Sequence, residues 1–394
     1  MSRAWVALMI VALGCAPRTF RIPSAMTVVK TNWSPVTTFL DSVIAAGAAP
    51  GAVLGVSVAG QRYVYATGRL TRDEPAPAEA TTIYDLGSLT KVVGLTTAVM
   101  LAVDDGKLEL DAPVQRYVPA FEGEGKERVT IRLLLAHGSG LPAWRPLFRE
   151  TETREQAFAL ADTTALSSTP GTADVYSDLG MIVLTQAVEA VYHERLDSLL
   201  ARRIFQPLGM TSVGFLPAED RARIAPTELD RWRGRVLRGE VHDENAARLD
   251  GVSGHAGLFG SAPDLLTFAE WLLGQADGWT GGRADQLNHL SARPPVRPST
   301  VREFTRRQNL IPGTHRALGW DTPSPGSSAG GLLSPESLGH TGFTGTSLWI
   351  DPAHQLAIVL LSNRVNPTRD NIAWVGVRAR IADLVMTTLF EDVR

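Results

Sequence analysis

Thr82-Ile83-Tyr84-Asp85-Leu86-Gly87-Ser88-Leu89-Thr90-Lys91 is the stretch on which the fold turns. It opens on the β-prone Thr82-Ile83-Tyr84 and runs into Leu89 to Asp105, which is apolar along one face and stops at Gly106. That is the pattern of a helix with a glycine stop. Ser88 and Lys91, three residues apart at its start, share a face, so the lysine amine reaches the serine hydroxyl. Accepting that proton requires a neutral amine. A cation near a helix N-terminus opposes the helix dipole, and burial disfavours the charged form, so both effects push the Lys91 pKa down towards that of a useful general base. Alone, S-x-x-K is a weak signal that also fits a helix cap beside a solvated lysine.

On the N-terminal side, Val36-Thr-Thr-Phe-Leu-Asp-Ser-Val-Ile has the spacing of an amphipathic helix. Gly51 to Ala59 and Arg62 to Thr67, separated by Gly60-Gln61, read as a β-hairpin. On the C-terminal side, Gly345 to Ile350 and Leu356 to Ser362 flank the turn Asp351-Pro352 and form two more strands, followed by an amphipathic helix from about Asn371 to Phe390. Between these ends, from about Leu108 to Leu273, the periodicity is helical and no β-hairpin is expected. Ser261-Ala-Pro-Asp264 carries the start signal of a helix that runs to Leu273, with Ser261 as its cap. Gln275 to Ser299, rich in Gly, Pro and polar residues, is predicted to be a mobile loop. The fold class is therefore α+β: an antiparallel sheet built from both chain ends and flanked by helices, with a central all-helical lobe beside it. An α/β lobe of about 36–107 and 300–394 and a helical lobe of about 108–299 are expected, with a site in the cleft between them.

With 38 basic against 41 acidic residues among 394, the chain has no charge excess that would attract nucleic acid. Its first residues are Met1-Ser-Arg, an apolar run Ala4 to Leu13, and Gly14-Cys15. Ten apolar residues are too few to span a bilayer, so 1–14 reads as a signal peptide and 15–35 as a tether before the domain 36–394. Cys15 is the single cysteine, which excludes an intrachain disulfide. Its setting resembles a bacterial lipobox, implying lipidation at Cys15 and an exported lipoprotein of the cell envelope; an incidental cysteine in a plain signal peptide is the alternative.

Two further motifs follow Ser88-x-x-Lys91 in order. Tyr176-Ser177-Asp178 precedes the apolar helix Leu179 to Val191, and His340-Thr341-Gly342 precedes the strand Gly345 to Ile350. In this order the chain resembles the serine β-lactamase and penicillin-binding protein superfamily, whose members place S-x-x-K, Y-x-N and K-T-G or H-T-G along the sequence. Leu133-Leu-Leu-Ala-His137-Gly-Ser-Gly-Leu-Pro142, Gly106 to Pro113 and Phe205 to Met210 resemble its class C β-lactamase-like branch of esterases and D-alanyl-D-alanine peptidases. The resemblance extends from about Val36 to the end and implies a β-lactamase/transpeptidase-like fold. It implies Ser88 as nucleophile, Lys91 as its base partner and Tyr176 as proton shuttle. His340 would support Tyr176 and the substrate's far side, where Thr341, Gly342 and Asp178 would also contact substrate. The backbone N–H groups of Ser88 and Phe343, the latter taken to begin the strand after H-T-G, would form the oxyanion hole.

Two departures from the family pattern bear on mechanism. Asp178 stands where asparagine is usual; a carboxylate only accepts, and could pair with Lys91 and hold it charged. His340 stands where many β-lactamases have lysine, which removes a permanent cation and disfavours an efficient β-lactamase. The expected activity is that of a carboxylesterase-type serine hydrolase acting through an acyl-enzyme on small ester, amide or peptide substrates, without metal or other cofactor. The alternatives are a D-alanyl-D-alanine carboxypeptidase or weak β-lactamase, and, in another class, a non-catalytic penicillin-binding or sensor protein. Glu228 faintly resembles a deacylating glutamate, and His242-Asp243-Glu244-Asn245 with His255 is more readily a hydrogen-bonded loop than a metal site. Trp144, Trp232, Trp271, Trp320 and Trp349 read as core or cleft wall.

Overall fold

The two ends of the chain meet in one sheet. In the computed structural model, which describes residues 31–217, 221–276, 295–311 and 313–390, five antiparallel strands lie in the order β2-β1-β10-β9-β8. They are β1 (Gly51–Val58), β2 (Gln61–Gly68), β8 (Leu338–Thr341), β9 (Ser347–Asp351) and β10 (Leu356–Ser362), and Gly55 of β1 faces Val359 of β10 in register. The hairpin β1–β2 is as the sequence predicts.

The central strands are apolar on both sides because both faces are covered. Leu54, Ile358, Leu360 and Trp349 point to a layer formed by the helices Ser34–Ala45 and Val377–Leu389. Val53, Val359, Leu361, Leu348 and Ile350 point to the opposite core, which includes the helix Ala262–Ala276. Alternate residues of one strand thus feed two cores, the expected result for a strand of period two buried on both faces. The helix Ala262–Ala276, grouped with the central lobe on sequence, packs on the sheet, where a Cβ at Gly55 would sit 3.2 Å from Leu266 and 3.4 Å from Ala262. Trp374 is fully buried and donates its indole N–H to the Gly345 carbonyl at 2.7 Å, tying the C-terminal segment to the turn after β8.

The central part is not helical throughout, contrary to the expectation from periodicity. Short strands β3 (Tyr84–Asp85), β4 (Gly214–Phe215) and β7 (Leu258–Gly260) form a three-stranded sheet, and β5 (Leu229–Asp230) with β6 (Arg235–Val236) forms a hairpin. Strands of two or three residues leave no readable alternation. The H-T-G segment differs as well. His340 and Thr341 belong to β8, paired with β9 through His340 opposite Leu348, whereas Phe343 lies in the turn that follows. Most of the predicted loop Gln275 to Ser299, the lipidation candidate Cys15, the leader 1–14 and most of the tether lie outside the described residues.

Candidate active site

Ser88 is presented by a turn that two glycines make possible. Gly87 has φ +53, a left-handed value that costs glycine nothing, and its N–H donates to Asp85 Oδ1 at 2.8 Å. Gly342 packs so closely that a Cβ there would collide with Thr346 Oγ1 and the Leu86 carbonyl. Thr346 Oγ1 donates to the Leu86 carbonyl and Thr344 Oγ1 to the Asp85 carbonyl, both at 2.8 Å, stitching the Ser88 turn to the β8–β9 turn. This closure brings the Phe343 N within 3.1 Å of where a Gly87 Cβ would be. Among the described residues, neither the Ser88 nor the Phe343 N–H is engaged by a partner.

The chain then winds as a π-helix over Thr90–Thr96 before continuing as an α-helix over Thr97–Asp104. Such π turns often occur at functional sites. Lys91 is fully buried on it, and its ammonium meets three acceptors: Ser88 Oγ at 2.9 Å, the His255 carbonyl at 2.9 Å and Asp178 Oδ1 at 2.7 Å. The ammonium thus donates to Ser88 and to the His255 carbonyl and forms an ion pair with Asp178. Burial alone would lower the Lys91 pKa, but Asp178 and then Tyr176 outweigh it, so the value lies above the ordinary lysine range. The expected depression is therefore corrected. Dipole and burial act as the sequence suggests, and a carboxylate from another helix reverses their sum. The His255 carbonyl is itself fixed, because the imidazole is held between Asp243 Oδ1 at 2.8 Å and Ser253 Oγ at 2.7 Å.

Asp178 reaches Lys91 because Ser177 caps the helix Asp178–Tyr192, accepting the Gly180 N–H at 3.1 Å. Tyr176, just ahead of that cap, lies between two imidazoles, with ring centroids 4.6 Å from His137 and 5.8 Å from His340, and Lys91 Nζ stands 4.8 Å from its own ring centroid. Burial raises the Tyr176 pKa and Asp178 adds to that, against the opposing pull of Lys91 and of hydrogen bonding to Lys91 and Ser88. His340 donates Nδ1–H to the Thr341 carbonyl at 2.8 Å, leaving Nε2 as a buried lone pair without a partner among the described residues. Burial lowers its pKa, so the ring is neutral.

The weaker candidates go elsewhere. Glu228 is buried against His242 Nε2 at 2.7 Å and Arg369 Nε at 2.6 Å, so its charge is spent on the β5–β6 region. Glu244 pairs with Arg369, and Asn245 Oδ1 accepts the Phe148 N–H. Among the described residues, no three His, Cys, Asp or Glu side chains converge as metal ligands. Trp271, Trp320 and Trp349 are core; Trp144 and Trp232 are exposed.

Three features went unassigned in the sequence. Asp85 is buried and also accepts the His242 N–H at 2.6 Å, bracing the Ser88 turn from beneath. His137 was visible only as part of the Leu133–Pro142 motif, without a role. Arg316 and Arg378 line a cavity of about 500 Å³ that reaches Thr341; nothing in their local sequence marks them.

This chain belongs to the β-lactamase family, whose family model, described as Beta-lactamase, matches residues 37–382. It is a β-lactamase-family serine hydrolase. An Escherichia coli (strain K12) relative named "Putative D-alanyl-D-alanine carboxypeptidase" is 32% identical over 333 residues, covering 75% of this chain and 72% of the relative. The class C β-lactamase from Rhodobacter sphaeroides superposes with a TM-score of 0.68 at 25% identity, over 90% of this chain and 99% of its own. EstCE1, a hydrolase with promiscuous acyltransferase activity, shares the fold with a TM-score of 0.67 at 23% identity, over 87% and 97% of the two chains.

Proposed function

We propose that this hydrolase cleaves peptides whose leaving group ends in a free carboxylate, as a D-alanyl-D-alanine carboxypeptidase does. The sequence ranked a carboxylesterase first; the observation that carries the present reading is Arg378. The residue is 8% exposed, and its guanidinium gives Nη2–H to the Gly342 carbonyl at 2.6 Å, leaves Nε without a partner and makes no ion pair among the described residues. Burial, with repulsion from Arg364, pushes its pKa down to about 10, which still leaves it charged at neutral pH. Its neighbour in the cavity, Arg316, is already neutralised by Asp174 and Asp321. An unpaired buried cation beside Thr341 calls for an anion, because an uncompensated buried charge is costly. It supplies the fixed positive charge that the neutral His340 lacks. The name of the Escherichia coli relative supports the same substrate class.

In this reading, the active form has lost one proton from the Lys91–Tyr176 cluster and stands as tyrosinate beside ammonium: Ser88 Oγ attacks the scissile carbonyl and its proton passes to the Tyr176 phenolate, while the Lys91 ammonium stabilises the developing alkoxide through its 2.9 Å contact. The oxyanion forms against the N–H groups of Ser88 and Phe343. Tyr176 protonates the departing amine as the C–N bond breaks; water then attacks the acyl-enzyme, giving its proton to the Tyr176 phenolate, which returns it to Ser88 Oγ as the ester bond breaks. Export, with anchoring through Cys15, accords with a substrate in the cell envelope and belongs to the same proposal.

The test compares an N-acylated D-alanyl-D-alanine peptide, its C-terminal amide and p-nitrophenyl butyrate. The acid should be cleaved with kcat/KM at least about tenfold above the amide, the factor that a charged hydrogen bond of about 1.5 kcal/mol gives. Arg378→Gln should abolish that preference. Equal turnover of acid and amide, or turnover of the ester alone, would refute the carboxylate reading in favour of an esterase.

A further inference from the structure

We propose that His137 is the positioning residue for Tyr176, clamping the backbone on both sides of it. The His137 carbonyl accepts the Val175 N–H at 2.9 Å, and Nδ1 of the same residue accepts the Ser177 N–H at 3.1 Å. Tyr176 lies between those two amides, and its ring rests against the imidazole with centroids 4.6 Å apart and planes tilted by 40°. One residue therefore fixes the phenol at three points: the amide before it, the amide after it, and the ring face.

The local chain is built to allow this. The short helix Ile131–Leu135 ends at Ala136, and His137 adopts a left-handed φ of 55 that turns both its carbonyl and its ring towards the 175–177 segment. Left-handed backbone in a non-glycine residue costs free energy and persists where surrounding contacts hold it. Here the contacts continue on both sides: the Gly171 N–H donates to the Gly138 carbonyl at 2.8 Å and the Ser167 N–H to the Gly140 carbonyl at 2.7 Å.

The clamp works only with Nδ1 as a lone pair, which puts the ring proton on Nε2. Protonation would face one N–H against another and open the clamp. The charged and titratable groups around the ring are Arg316, Lys91, His340 and Tyr176. Burial, reinforced by Arg316, Lys91 and His340, holds the His137 pKa well below the ordinary histidine value, so the acceptor form persists. A histidine serving only to fill the core would have no need of an acceptor aimed at this amide.

The inference rests on Tyr176 acting in proton transfer, so Tyr176→Phe is run beside the test. Asparagine tolerates left-handed φ and offers Oδ1 at the position of Nδ1, whereas glycine tolerates the φ but removes both acceptor and ring. Active sites are counted by phosphonate titration, and kcat and KM are measured with p-nitrophenyl butyrate. His137→Gly should lose about 30- to 100-fold in kcat per titrated site with KM within about threefold, the order expected when a catalytic group is displaced by about an ångström. His137→Asn should restore kcat to within about threefold of wild type. If His137→Gly keeps wild-type kcat per site, or if Asn is as impaired as Gly, the positioning role is overturned. If His137→Gly is not recovered folded, the Asn variant decides alone, and a loss in it of more than about tenfold overturns the proposal. Wild-type turnover by Tyr176→Phe would instead overturn the role of Tyr176 itself.

Discussion

Replacing Asp178 by asparagine removes a negative charge 2.7 Å from the Lys91 ammonium while keeping an acceptor of the same shape. The carboxylate raises the pKa of Lys91 and that of Tyr176, so each of the two groups able to carry the Ser88 proton is held protonated by the same charge. Two charges about 4 Å apart at an effective dielectric of about 20 interact by about 4 kcal/mol. The Asp178 side chain is 20% exposed, so water screens part of this. Opposite charges at such range shift a pKa by about 1–3 pH units. The sign follows: without Asp178 the cluster loses its proton at lower pH, and the acidic limb of kcat/KM moves down by about 1–3 pH units. A neutral ester such as p-nitrophenyl butyrate isolates this limb from substrate ionisation, and kcat/KM reports the free enzyme. Lys91 and Tyr176 titrate as a coupled pair, so the limb belongs to the cluster. An acidic limb that stays in place, or rises, in Asp178→Asn would refute the electrostatic argument and remove Asp178 from the proton-transfer network.

Ser88→Ala should lose at least about 10³-fold in turnover with little change in melting temperature, because the hydroxyl's partners among the described residues, Lys91 and Tyr176, belong to the site itself. Intact-mass spectrometry after phosphonate treatment should show one adduct on wild type and none on the mutant; an adduct on the mutant would exclude Ser88 as nucleophile. Gly342→Ala should lower stability by about 3 kcal/mol or more, since its Cβ meets the Leu86 carbonyl, which cannot swing aside; a chemical-denaturation midpoint equal to wild type would contradict the close approach. His354, with Nδ1 at 2.8 Å from Asp351 Oδ2, has its pKa raised chiefly by that hydrogen bond. Its contribution is complete below the unfolded histidine pKa and is lost as pH rises through the higher folded value. His354→Gln should therefore cost about 1–2 kcal/mol at pH 5.5 and less at pH 9 by urea denaturation; an equal loss at both would exclude the charged pair.

What the sequence shows of this protein depends on whether the determining contacts are local. Ser88 and Lys91 are three residues apart on one turn, so their contact follows from helical geometry, and the strands β1, β2, β9 and β10 are long enough for their apolar runs to be read. β8 is not: Leu338–Thr341 is four residues with a glycine, and its pairing with β9 is a tertiary event that moves His340 onto a strand edge and Phe343 into a turn. The charge state of Lys91 shows the same division at the level of chemistry. Dipole and burial can be inferred from its position in the helix, and they point to a neutral amine; the Asp178 ion pair, which the sequence offered only as one possibility, decides the opposite. Arg378 is further still from legibility, being one of many arginines until the fold sets it on a cavity whose carboxylates, Asp174 and Asp321, are taken by Arg316. Its significance is a missing partner, and a missing partner has no sequence signature. The same fold that hides this cation therefore sets the substrate question: the residues readable as motifs would supply acyl transfer, which esterases and peptidases share, while the residue that would tell them apart sits on the C-terminal helix, outside every motif.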